Sequence, residues 1–218
     1  MSAALLLLCG AVLVPVKAQD YASKMKLWYS SPSGKKASEN AWMEYALPIG
    51  NGQLGATFMG NIDTEYLQFN EKTLWTGTKE QNNKGVTSES DSYYGSYQNF
   101  GYLTISTGHS TSGYSNYNRE LDLNTATGKV SYTSGGVQYK REFIASYPNN
   151  VVVARFSANQ RGKQNLTISL TKGQGLGSGS VSYSDGAISL NGSLETVSYA
   201  ARVKVVPVGG TISKSSSA

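Results

Sequence analysis

At 218 residues the chain has room for one domain and little more. Only 15% of it is charged while 11% is aromatic, with 15 Tyr and 24 Gly, which excludes a disordered chain and leans toward strands and tight turns. The net charge of +5 comes from residues that alternate in sign, as in Arg119-Glu120 and Arg141-Glu142, with Lys35-Lys36 the one basic pair of note; nucleic-acid binders cluster their basic residues, so that partner is not expected.

The chain opens on an apolar run from Ala3 to Val14, too short to span a bilayer. Val16-Lys17-Ala18 then offers small residues for cleavage before Gln19, although no Lys or Arg precedes the run. This predicts a signal peptide over 1–18 and an exported chain over 19–218, periplasmic, at the cell surface or secreted, with no membrane span. Cys9 is the sole cysteine and lies in the cleaved segment, where Leu8 disfavours lipidation. The mature chain then has no disulfide, no thiolate nucleophile and no cysteine-bound metal.

Period-two segments dominate from Leu54 onward. Leu54 to Met59 reads as a buried strand, with Gly60-Asn61 as a two-residue turn into Ile62 to Phe69. Strands are expected at Tyr102 to Thr107, Asn118 to Leu123 and Lys129 to Thr133, and Gly135-Gly136 turns into Val137 to Ala145. Val151 to Ala158 and Asn165 to Thr171 follow. Asp185-Gly186 and Asn191-Gly192 bracket a short strand, Ala187 to Leu190, and the last strand is Thr196 to Val208. No window of about twelve residues carries a helical stripe. Thr76 to Tyr97 is a long polar loop, and Gly173 to Gly179 reads as a flexible link. Strands at this spacing with turns between them predict an all-β fold, a sandwich or barrel. No returning strand of ordinary length follows Gly209-Gly210, so the domain is expected to be incomplete at its C-terminus, with an unpaired edge.

The densest unusual stretch runs from Trp42 to Trp75. Gly50-Asn51-Gly52 calls for positive φ and a close backbone approach. A nucleotide-binding reading fails, because the glycine spacing is wrong and no helix follows. Asn70-Glu71 ends a strand, and Thr73 to Trp75 forms a short turn that tucks Trp75 inward. The chemistry alone favours a packed hairpin corner with Asn70 bonding its own backbone. Asp63 with Glu65 and Glu120 with Asp122 stand at i, i+2, about 6–7 Å apart on one strand face, close to the roughly 6.5–9.5 Å of an inverting glycosidase. Half-solvated strands present such pairs routinely, and the solvent-face reading is preferred for both. His109, the only histidine, makes no zinc site without cysteines. Calcium held by oxygen ligands is left open by the residues. Trp28, Trp42 and Trp75 could stack on sugars but are expected in the core.

In order along the chain, the motifs Trp42, Ala46-Leu47-Pro48-Ile49-Gly50-Asn51-Gly52, Leu54-Gly55-Ala56, Asn70-Glu71 and Thr73-Leu74-Trp75 resemble the opening of the α-L-fucosidases of glycoside hydrolase family 95. The likeness continues through Tyr97-Gln98 with Gly101, Tyr117 with Arg119-Glu120-Leu121-Asp122-Leu123, and Gly136-Val137 with Tyr139, Arg141-Glu142-Phe143 and Ser146-Tyr147-Pro148. Tyr102 and Asn149 stand where the family often has Asp. The resemblance implies a large antiparallel N-terminal β-sandwich of the supersandwich type, then an (α/α)6 barrel that removes terminal α-linked L-fucose, typically α-1,2, with inversion and without a cofactor. By that resemblance the catalytic acid and the water-activating aspartate belong to the barrel, so no residue here is assigned to catalysis. Asn51, Asn70, Glu71 and Trp75 are the candidates for substrate contact or for the interface with the barrel, and fucosylated glycan is the expected partner of the whole protein. The alternative is a stand-alone carbohydrate-binding or interaction sandwich. Sandwich-plus-barrel glycoside phosphorylases share the architecture but match these motifs less well.

Overall fold

The computed structural model describes residues 25–77, 95–184 and 186–214; the expected signal peptide, Cys9, most of the long loop and the last four residues lie outside these. In chain order the elements are β1 (Lys26–Tyr29), α1 (Glu39–Tyr45), β2 (Leu47–Gly50), β3 (Leu54–Phe58), β4 (Thr64–Glu71), β5 (Gly101–Ser106), β6 (Tyr114–Asp122), β7 (Thr127–Ser134), β8 (Val137–Ser146), β9 (Val151–Ala158), β10 (Thr167–Lys172), β11 (Ser180–Ser184), β12 (Ala187–Ser193) and β13 (Ser198–Lys204). Two five-stranded antiparallel sheets, ordered β1-β6-β7-β8-β9 and β10-β5-β4-β3-β2, pack face to face, and β11-β12-β13 form a smaller third sheet. The all-β sandwich is therefore as the turn spacing predicts. Among the described residues no helix is long and apolar enough to cross a membrane.

Alternation builds the core. On β8, Val137, Tyr139, Arg141 and Phe143 are buried while Gln138, Lys140 and Ile144 face out. Across the sandwich Ala56 and Phe58 of β3 and Leu67 of β4 meet them, with the Phe58 and Phe143 rings stacked 4.4 Å apart. Burying each large apolar side chain contributes about 1.5–3 kcal/mol.

Several boundaries differ from expectation, each for a local reason. The helix α1 is two turns long, too short for a stripe; Ser38 caps it by accepting from the Ala41 N–H at 3.3 Å. The strands β1, β2 and β11 are four or five residues long and carry little alternation to read. Asn191-Gly192 is not a turn but lies inside β12. Gly192 pairs with Tyr199 of β13, whose ring occupies the space a side chain would take. Gly173 to Gly179 is not a free link, because Leu176 is fully buried and its carbonyl accepts from the Tyr199 hydroxyl at 2.6 Å. The last strand is shorter than expected, ending at Lys204, and β13 pairs with β12 alone among the described residues.

Gly60-Asn61 is likewise no two-residue turn. In the connection from Phe58 to Thr64, Met59 to Ile62 are buried, and side chains rather than a ladder hold most of their polar groups. The Glu65 carboxylate accepts from the Met59 and Gly60 N–H groups, both at 2.8 Å. Arg119 donates to the Met59 carbonyl at 2.5 Å, Tyr117 to that of Gly60, and Arg141 to those of Asn61 and Ile62.

Candidate functional site

Asn51 belongs to the β2–β3 turn. Its Oδ1 accepts from the Gln53 and Leu54 N–H groups at 3.0 and 2.7 Å, closing a loop in which Gly52 takes φ +88°. Its Nδ2 crosses to the β8–β9 turn and donates to the Ser146 carbonyl at 2.8 Å and to Asn150 Oδ1 at 3.2 Å. Its oxygen therefore shapes its own turn, and its nitrogen joins the two sheets at one end.

Asn70, Glu71 and Trp75 form a second corner. Asn70 donates to the Gln98 carbonyl at 2.7 Å, while its Oδ1 accepts from the Glu71 N–H at 3.0 Å and the Phe100 N–H at 3.3 Å, pinning the segment that enters β5. Glu71 accepts from the Thr73 N–H at 2.8 Å and the Thr73 hydroxyl at 2.5 Å. Burial alone would raise its pKa, but these two bonds hold the carboxyl below the usual range. Leu74, not Trp75, is the residue this turn buries.

Trp75 departs from expectation: it is 48% exposed, its indole N–H donates to the Lys72 carbonyl at 3.0 Å, and its ring lies 5.4 Å from that of Tyr97, equally exposed. Trp28 is also outside the core, at 67% exposure. Trp42 is half-buried against Tyr102, 5.8 Å between rings. The corner is closed on a third side by Glu195, which accepts from the Gly77 N–H at 2.8 Å, and by Thr196, whose hydroxyl donates to the Gly77 carbonyl. Beside it a groove of about 400 Å³ is lined by Pro48, Gly55, Thr57, Gln68, Tyr97 and Asn99, among others.

Asn70, Glu71 and Trp75 thus come together with Tyr97, and Asn51 stands apart at the β8–β9 end. The carboxylate pairs do not act as pairs. Glu65 is wholly buried and bound to Arg141 at 2.7 Å, whereas Asp63 is exposed and lies before β4 begins, which corrects the solvent-face reading for Glu65. Glu120 and Asp122 share Lys26, at 3.9 and 3.1 Å, and Glu120 also meets Lys129 at 3.3 Å; Asp122 is buried, so the solvent-face reading fails for it as well. In neither arrangement do two carboxyls face a common open space: Glu65 is sealed against Arg141 while Asp63 stands outside, and Glu120 and Asp122 are both tied to Lys26.

The buried Glu65–Arg141 pair was missed from the sequence, although the signal was present: Glu65, Arg119 and Arg141 each occupy the apolar register of their strands. Arg141 further donates to the Tyr132 hydroxyl at 3.0 Å, and Tyr132 meets His109 Nδ1 at 2.8 Å. Burial alone would lower the Arg141 pKa; Glu65 and Tyr132 outweigh it, and the guanidinium stays charged. No group of three or more metal-ligating side chains gathers among the described residues.

Known proteins bear on this arrangement. A family model described as "Glycosyl hydrolase family 65, N-terminal domain" matches residues 27–89 and 78–218. Alpha-L-fucosidase 2 of Arabidopsis thaliana is 36% identical over 177 residues, which is 69% of this chain and 20% of that protein. Probable alpha-fucosidase A of Aspergillus niger is 30% identical over 226 residues, 89% of this chain and 28% of that protein. The chain therefore spans between a fifth and just over a quarter of the length of these relatives. The family model carries the number 65 where the motifs resemble family 95, and both describe the N-terminal domain of a glycosyl hydrolase. With nearly its whole length covered by that model, the chain belongs to the glycosyl hydrolase family 65 N-terminal domain family.

Proposed function

We propose that the chain is the N-terminal sandwich of an exported α-L-fucosidase, and that bond cleavage belongs to an (α/α)6 barrel outside it. The observation that carries this reading is the pair of fucosidase relatives, of whose length the region shared with the chain is only 20% and 28%. The state of the carboxylates supports it too. Glu65, Glu120, Asp122 and Glu142 are all held in ion pairs, so the sheets use their acids for structure.

In this reading the whole protein removes terminal L-fucose, α-1,2-linked, from glycans with inversion. The sandwich orients the barrel, and Asn51, Asn70, Glu71 and Trp75 lie at the contact between the two or at the substrate's edge. Trp75, exposed beside Tyr97, is the member with surface to offer; Asn70 acts by pinning the segment beside it that enters β5, and Asn51 by tying the β2–β3 turn to the β8–β9 turn. Comparing the purified 218-residue chain with the full-length gene product on 2′-fucosyllactose tests the proposal. Fucose release with inverted configuration is expected from the full-length protein alone. Release by the chain itself, or none by either, would overturn it.

A further inference from the structure

The outer faces of the two large sheets differ in kind. Across β1-β6-β7-β8-β9 the central row reads Trp28, Glu120, Lys129, Glu142, Arg155, a ladder of alternating charge. Across β2-β3-β4-β5-β10 the corresponding row reads Pro48, Thr57, Gln68, Tyr102, Thr171, and the rows beside it read Tyr66, Thr104, Ser169 and Thr64, Ser106, Thr167. These three rows contain hydroxyls, an amide and aromatic rings, and no charged group. Trp42 of α1 covers Tyr102, so the open part of this face is its Pro48, Thr57 and Gln68 end; a bare solvent face gains nothing from leaving charge out there, since charge protects against edge and face association.

The groove lies on this neutral face. Among the described residues neither the buried Thr57 hydroxyl nor the Gln68 amide has a hydrogen-bond partner. Tyr97, tilted against Trp75, supplies an exposed aromatic surface at its side. Gly55, also on the floor, leaves open space: a Cβ built there meets no atom within 4 Å, so the fold does not require a glycine for packing. We propose that this groove is a binding site for a neutral oligosaccharide. Amides and hydroxyls match sugar hydroxyls in both donor and acceptor roles, aromatic faces match the C–H faces of a pyranose, and the absence of charge avoids desolvating an ion against an uncharged ligand. That the ligand is a sugar leans on the reading above; the uncharged groove does not.

The test titrates the 218-residue chain with 2′-fucosyllactose and with lactose, by calorimetry and by tryptophan fluorescence. Saturable binding of either sugar is expected, weakened tenfold or more by Gly55→Val, which fills the floor, and by Tyr97→Ala, which removes the ring from a half-exposed position and leaves the core intact. Lys140→Ala on the charged face is expected to leave affinity unchanged. No saturable binding, or binding that neither groove substitution weakens, overturns the proposal. Concentration-dependent self-association of the chain that Gly55→Val abolishes would overturn it as well, by assigning the face to protein contact. Fucose release by the full-length protein is a separate readout: it can fail while the chain still binds sugar, and it can persist where the groove binds nothing.

Discussion

Arg141 and Glu142 are neighbours in the chain and opposites in the fold. Arg141 points into the sandwich, almost fully buried, and meets Glu65, Tyr132 and two carbonyls. Glu142 points out of the same strand to Lys140 at 2.7 Å and Arg155 at 3.7 Å, both half or more exposed. Both are ion pairs by geometry, but the medium separates them. In the interior the attraction is strong and so is the cost of leaving one partner alone; at the surface water has already screened most of both. The inner pair also organises the Phe58–Thr64 connection, while the outer one organises nothing beyond itself.

The largest effect should follow from breaking the inner pair. Glu65→Gln leaves the Arg141 charge buried and weakens the acceptor that holds the Met59 and Gly60 N–H groups. A loss of about 3–5 kcal/mol is expected in urea unfolding, a large share of the roughly 5–15 kcal/mol available to a domain. Replacing both partners at once, Glu65→Leu with Arg141→Met, should cost less than the two single changes summed, since no charge is then stranded. Additivity in that cycle would show that the two groups act independently, against the geometry.

The contrast also explains what could be read in advance. Alternation along β4 to β8 was visible because apolar and polar residues largely take opposite faces there, and the turns at Gly135-Gly136 and Pro148-Asn149-Asn150 were marked by their residue types. What escaped were features made by long-range partners. Nothing local tells that Tyr199 will cover Gly192 and turn an apparent Asn-Gly turn into strand. Nothing local tells that Glu65 will find Arg141, 76 residues away. At the corner, Asn70 bonding its own backbone was legible from its type and place, but the burial of Leu74 in place of Trp75 depended on which side of the turn faced the core.

A smaller effect should come from the outer end of the inner network. Arg141 donates to the Tyr132 oxygen, and the Tyr132 hydroxyl meets His109 Nδ1 at 2.8 Å, which puts the ring at the outer end of the chain of contacts. Burial first, and the Arg141 charge second, push the His109 pKa below its ordinary value near 6.5. Its folded value is then the lower one, so the unfolded chain binds the proton first as pH falls. Stability from this group is complete above about 6.5 and is lost as pH falls from there through the folded value. With a single histidine in the chain, His109→Gln should flatten the stability profile between about pH 5 and 7. An unchanged slope in that variant would remove His109 from the network's account.

The smallest effect belongs to the outer pair. The Lys140 bond, followed by the Lys140 and Arg155 charges, holds the Glu142 carboxyl below its usual range, so what it contributes is present near neutrality and fades only in acid. Two of its neighbours are long, exposed side chains that must be ordered to make the contact, and water competes for every charge involved. Glu142→Gln is therefore expected to shift stability by only a few tenths of a kcal/mol, and 1 M salt should erase the shift. The same salt should leave the cost of Glu65→Gln nearly intact, because no ion reaches a carboxylate that water does not. Equal salt sensitivity in the two variants would mean that Glu65 is not sealed inside the sandwich, and the distinction between the two sides of β8 would fail with it.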